Sequence, residues 1–126
     1  MFISYQRISS LDEFRYLLPY KELVGGALSI SAQQFLAVNG FSNKFWGWGG
    51  EDDDMHGRLE QAGLLPVRLP AQRAVYTALP HTKQSPGPGP TDGGADPTVD
   101  GLSTLTYTLL TTELLPYCTI LKVDLT

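Results

Sequence analysis

Cysteine, histidine and long apolar runs are all scarce in this chain. The one cysteine, Cys118, cannot close an internal disulfide, and with two histidines no Cys/His cluster has the spacing of a structural zinc site. Cross-links and structural zinc are excluded as sources of stability. Basic residues are also few. Nine Lys and Arg stand against thirteen Asp and Glu, for a net charge of -4, with no basic stripe and no interleaving of aromatic with basic residues. Nucleic acid is not expected as a partner. No apolar run approaches the roughly 20 residues of a membrane span, and MFISYQRISSLDEF at the start lacks the basic-then-apolar order of a targeting signal. Neither an anchor nor a leader is expected within this sequence.

What is present is concentrated in one place. Residues 45 to 54 read FWGWGGEDDD: two tryptophans with glycine spacers, followed by four acids where a helix is expected to begin. Such a loop can offer aromatic walls to a flat-faced ligand, and the acids offer a carboxylate base, which together suggest a carbohydrate site. The plainer alternative is a pair of core tryptophans and a solvated first helical turn, and for Trp46 burial is the favoured reading. Calcium binding is disfavoured, because consecutive acids at a helix start diverge and the spaced ligand pattern of a calcium loop is missing. The whole chain, 126 residues with 42% hydrophobic and 17% charged, suffices for one domain with a modest core.

Around that motif the pattern is α/β or α+β. Residues 20 to 30, YKELVGGALSI, form an apolar run of strand length interrupted by Gly25 and Gly26, where a bulge or a close backbone approach by a ligand is expected. Ser29 or Ser31 can cap a helix through Gln33, Phe35, Leu36 and Val38 that Asn39 and Gly40 end. A second helix is expected over Glu51 to Ala62, with Met55, Leu59 and Ala62 at helical spacing and Gly63 as its stop. Leu64 to Ala78 reads as one or two strands broken by Pro66 and Pro70, and Thr119 to Leu125 as a closing strand. Leu102 to Leu110 is β-rich or helical. Between them, residues 82 to 99 hold four of the nine prolines and four of the thirteen glycines, and are expected to be a mobile loop.

LPY at 18 to 20, VGGALSIS at 24 to 31, QFLAVNGFSNKFWGWGGEDDD at 34 to 54 and DGLSTLTY at 100 to 107 resemble the β-1,4-galactosyltransferases of the Golgi, and TILKVDL at 119 to 125 resembles that family's last strand. The resemblance runs from about Ile8 to Leu125. It implies an α/β fold, Rossmann-like with a mixed sheet, of which this chain is the C-terminal half. It implies transfer of galactose from UDP, with inversion, to O4 of an acceptor such as an N-acetylglucosamine-terminated glycan, in the Golgi lumen, by a type II membrane protein whose anchor is absent from this chain. Asp52 is then the general base, Asp53 grips the acceptor, Trp48 belongs to a closing lid and Tyr20 lies in the acceptor site. Gly26, Gly50 and Glu51 join them as donor- or acceptor-binding positions, with Asp54 as a further candidate.

The sequence also departs from the family. The metal site is expected to begin with an upstream DxD motif, and none precedes Tyr20; Asp12 and Glu13 match another position. His81 matches the family's metal-binding histidine, implying Mn2+, while Ala78 stands where a methionine ligand is common. The isolated chain is therefore expected to lack most of the metal and nucleotide side, and an inactive fragment or non-catalytic glycan-binding module is the competing reading. Leu23 replaces a tyrosine that narrows the space near C2 of the donor. A smaller residue there is expected to admit UDP-N-acetylgalactosamine beside UDP-galactose, a discrimination worth roughly 1 to 3 kcal/mol.

Overall fold

Among the described residues the elements are, in order, β1 (Ser4–Tyr5), β2 (Arg7–Ser9), β3 (Leu28–Ser29), α1 (Ala32–Ala37), α2 (Glu51–Gln61), β4 (Val67–Arg68), β5 (Val75–Thr77), β6 (Thr108–Leu115) and β7 (Cys118–Asp124). The structure is a computed structural model that describes residues 4–5, 7–9, 20–70, 73, 75–77, 82, 85, 87 and 96–125, with β1, β2 and β5 described by their backbone alone. β1 pairs antiparallel with β3 and parallel with β4, while β2 pairs parallel with β5. These mixed pairings with intervening helices fit the expected α/β class.

Both helices begin and end where their punctuation residues say they should. Ser31 caps α1, its Oγ accepting the Gln34 N–H at 3.2 Å while the Gln34 side chain reaches back to the Ser31 N–H, and Asn39 (φ 58°) with Gly40 (φ 65°) turns the chain out. Gly63 (φ 67°) follows α2 in the same way. The inward stripe of α2 is Met55 and Leu59, both 0% exposed, packed with Val24 and Val38 and flanked by Leu28, Ile30, Phe35 and Leu64. Ala62, expected on that stripe, caps the helix and is exposed.

Arg58 is buried beside these apolar residues, and its partners explain how. Its Nε donates to Asp54 Oδ2 at 2.6 Å, Nη1 to the Asp100 carbonyl at 2.8 Å and Nη2 to Asp100 Oδ2 at 3.3 Å. Asp100 also accepts from the Asn43 N–H and the Ser42 hydroxyl. Each charge has its partners, so α2 is bolted to the segment after residue 96. Asn39 adds to the same joint by donating to Ser103 Oγ at 2.8 Å and accepting the Ser103 N–H at 2.8 Å.

Several expectations need correction. Of the strand expected over residues 20 to 30 only Leu28–Ser29 pairs, because the chain turns at Tyr20–Leu23 and Gly26 takes φ 94°. The stretch after Leu102 begins with one 3-10 turn and becomes a strand only at Thr108. Within the stretch expected to be a mobile loop, 82 to 99, the Gly87 N–H donates to the Trp48 carbonyl at 3.2 Å, and Asp96 Oδ1 accepts from the Thr98 N–H and hydroxyl. The rest of that stretch lies outside the described residues.

Candidate active site

The four acids of the first turn of α2 point to four different places. Gly50 sits at the N-cap with φ 89°, and a Cβ there would also fall 2.9 Å from the Phe45 ring, so only glycine fits this entry. Glu51 Oε2 folds back to accept the Gly49 N–H at 3.1 Å. Asp54 is turned inward to Arg58, which makes it part of the packing and removes it from the candidate ligand-binding set. Asp52 and Asp53 are left for chemistry.

Asp52 faces a cleft of about 360 Å³ whose walls include Val24, Gly25, Gly26, Phe41 and Glu51. Burial pushes its carboxyl above the usual carboxylate range, the neighbouring charge of Asp53 adds to this, and hydrogen bonds from the Asp52 and Asp53 backbone N–H groups oppose it. The sequence leaves the balance between helix dipole and neighbouring acids open; here the net direction is upward. A carboxylate raised in this way is a stronger base than an ordinary one.

Asp53 receives the Tyr20 hydroxyl, which donates to Oδ1 at 2.8 Å. Burial first, then this hydrogen bond and the charges of Asp52, Asp53 and Glu51, push the Tyr20 phenol well above its ordinary value. Tyr20 is accordingly a fixed neutral donor. Trp48 is 59% exposed, as a stacking residue must be. Trp46 is 60% exposed, which corrects the expectation of burial: Gly47 and Gly49, which follow it, take positive φ and turn the loop outward, and Trp46 lines a second cleft with Ser42, Asn43, Phe45 and Leu125.

Leu23 and Gly26 flank the same region. The Leu23 carbonyl accepts from Arg68 Nη2 at 2.8 Å, and Gly26 lines the cleft that holds Asp52. Among the described residues no group of three or more His, Cys, Asp or Glu is placed to hold a metal ion, since Asp53 and Asp54 are already engaged. His81, Ala78, Asp12 and Glu13 lie outside the described residues. Sequence reasoning missed the Arg58–Asp100 joint; the i, i+4 spacing of Asp54 and Arg58 was the available signal for its first half.

The exposed aromatic loop, the cleft-facing Asp52 and the Tyr20–Asp53 pair lie in a stretch that matches a galactosyltransferase-type domain. Residues 6–82 match the family model described as N-terminal domain of galactosyltransferase. Over 123 residues the chain is 39% identical to β-1,4-galactosyltransferase 1 of Mus musculus, covering 92% of this chain and 31% of that protein. Over 73 residues it is 45% identical to β-1,4-galactosyltransferase 6 of Rattus norvegicus, covering 58% of this chain and 19% of that protein. A mutant of Drosophila β-1,4-galactosyltransferase 7, solved as a complex with manganese, UDP-Gal and xylobiose, superposes with a TM-score of 0.70 at 25% identity over 85% of this chain and 51% of that one. The chain belongs to the β-1,4-galactosyltransferase family. It spans about a third or less of the curated relatives it matches and half of the solved one.

Proposed function

We propose that this chain is the C-terminal, acceptor-side portion of a β-1,4-glycosyltransferase with a Rossmann-like catalytic domain. The observation that carries the reading is the divergence of Asp52 into an open cleft and Asp53 onto Tyr20 within one helical turn. A sugar hydroxyl is a poor nucleophile. Asp52 accepts the proton of the acceptor's O4 as that oxygen bonds to the donor's anomeric carbon, and the sugar leaves UDP with inversion. Asp53, held by Tyr20, accepts a hydrogen bond from the acceptor, an N-acetylglucosamine-terminated glycan on glycoproteins or glycolipids. Trp48, on its glycine-flanked loop, covers the bound sugars and keeps out water, which competes as acceptor.

The donor is UDP-galactose or UDP-N-acetylgalactosamine, the second admitted by the space that Leu23 leaves open. Manganese is bound by the Drosophila relative, and His81 is the ligand this chain would contribute. No step is assigned to the metal, because the described residues provide no cluster for it. The relatives are about three times longer than this chain or more, so the donor side is assigned to sequence beyond it and the isolated chain is expected to bind acceptor without turning over. Residence in the Golgi lumen, on a type II anchor not contained here, follows the same reading; among the described residues no helix is long and apolar enough to cross a membrane.

Titration of the chain with an N-acetylglucosamine-terminated glycan, followed by NMR, tests the site. Shifts at Tyr20, Trp48 and Asp53 that disappear in Asp53→Ala support the reading. Shifts confined to residues elsewhere, or none at millimolar glycan, overturn it.

A further inference from the structure

Gly25 lies opposite Asp52, and its lack of a side chain has no backbone explanation. It is not among the glycines with positive φ, so an L-residue is conformationally free to stand there. A side chain there would have to displace the Asp52 carboxylate. A Cβ built on Gly25 falls 2.5 Å from Asp52 Oδ2, 3.4 Å from Asp52 Cγ and 3.5 Å from Leu23 Cδ1. Carbon and oxygen meet at about 3.3 Å or more even in the closest C–H···O contacts, so a methyl and the present carboxylate cannot share the site.

We infer that Gly25 is the positioning residue for the Asp52 carboxylate, its bare Cα forming the wall against which Oδ2 rests beside Leu23. The catalytic meaning of this contact rests on the transferase reading above; the contact itself does not. α2 fixes Asp52 from one side and the backbone at Gly25 from the other, leaving the carboxylate one seat within the cleft. General bases act only within hydrogen-bond reach, so a seat of this kind is worth preserving. The backbone at Gly25 also excludes water from one carboxylate oxygen, in keeping with burial as the leading cause of the raised Asp52 carboxyl, with Asp53 and Glu51 as the neighbouring charges. Close approach of backbone, expected at this glycine pair toward a ligand, is here toward the protein's own acid.

The test is a double-mutant cycle in the 126-residue chain, with carboxyl-13C aspartate labelling and Asp52→Asn to assign the Asp52 signal. In Gly25→Ala the thermal midpoint falls, and Asp52 is displaced toward water so that its proton affinity drops about threefold or more. In an Asp52→Ala background the same Gly25→Ala change is harmless, because the colliding oxygen is gone. Gly57→Ala, where an added Cβ meets nothing within 4 Å, leaves the Asp52 titration unmoved and does not lower the thermal midpoint. Equal destabilisation in both backgrounds, or an Asp52 titration that stays or rises in Gly25→Ala, overturns the inference. If Gly25→Ala alone does not fold, the double variant decides: folding like Asp52→Ala supports the inference, and failing too overturns it. An absence of glycan binding would count against the transferase reading and leave this result standing.

Discussion

The α2 block and the C-terminal hairpin are built on opposite principles. In α2 every buried group has a side-chain reason to be there: Met55 and Leu59 fill the core, and Arg58 is enclosed by Asp54 and Asp100. In the hairpin, β6 and β7 pair in register from Thr108 with Asp124 to Leu115 with Cys118, interrupted by an irregularity between Leu109 and Thr111, yet every residue of both strands is exposed. One region is held by packing and charge, the other by its backbone ladder and the tight turn at Pro116–Tyr117. The site belongs to the first region. Asp52 and Asp53 inherit their placement from a helix that has little freedom to shift.

The contrast is broken most severely at Arg58. Arg58→Ala leaves Asp54 and Asp100 facing one another without a cation, and is expected to cost about 3 to 5 kcal/mol, read from denaturant unfolding. A loss below about 1 kcal/mol would mean the joint is decorative. At the site, Leu23→Tyr is expected to move the ratio of UDP-N-acetylgalactosamine to UDP-galactose transfer toward galactose by roughly 10- to 200-fold, measured in a graft of these residues into the mouse relative. An unchanged ratio would reduce Leu23 to a packing residue. Gly57→Ala, on the same helix with open space around it, should stabilise the chain by about 0.5 to 1 kcal/mol. In the hairpin, Leu114→Ala, at a position 78% exposed, should change stability by about 0.5 kcal/mol or less; a core-sized loss would show that the hairpin is packed in solution.

Acid titration separates the two regions again. The Asp52 carboxyl is raised in the folded protein, so its protonated form favours folding, and that contribution is lost as pH rises through the raised folded-state value. Asp52→Asn is therefore expected to raise the thermal midpoint at neutral pH, with the gain vanishing in acid below the ordinary carboxylate range. A gain that persists unchanged in acid would point to a cause other than this charge.

Legibility in the sequence followed the same division. A serine cap on α1 at Ser29 or Ser31, its exit at Asn39–Gly40, and the span of α2 ending before Gly63 were readable, because each depends on residues within one or two turns; the choice of Ser31 and its partner Gln34 comes from the structure. Strand pairing was less so: β3 is two residues long, and its partners lie elsewhere in the chain. The exposure of Trp46 was misjudged since hydrophobicity alone favours burial, whereas the positive φ angles of Gly47 and Gly49 turn this loop outward. Asp54 looked equivalent to its neighbours in a run of acids. Its distinction comes from Arg58 one turn on and Asp100 far along the chain, and the second of these no local pattern reveals. The separation of Asp52 from Asp53 was expected from the resemblance; the cleft, the Tyr20 hydrogen bond and the contact at Gly25 give it physical form.

The central claim is that the first turn of α2 presents a general base to a sugar hydroxyl. Grafting these residues into the mouse relative and measuring galactose transfer to an N-acetylglucosamine acceptor, with and without Asp52→Asn, addresses it most directly. The account predicts a fall in kcat of about 10²- to 10⁴-fold with acceptor binding retained. Transfer by Asp52→Asn at the unmodified rate would contradict it.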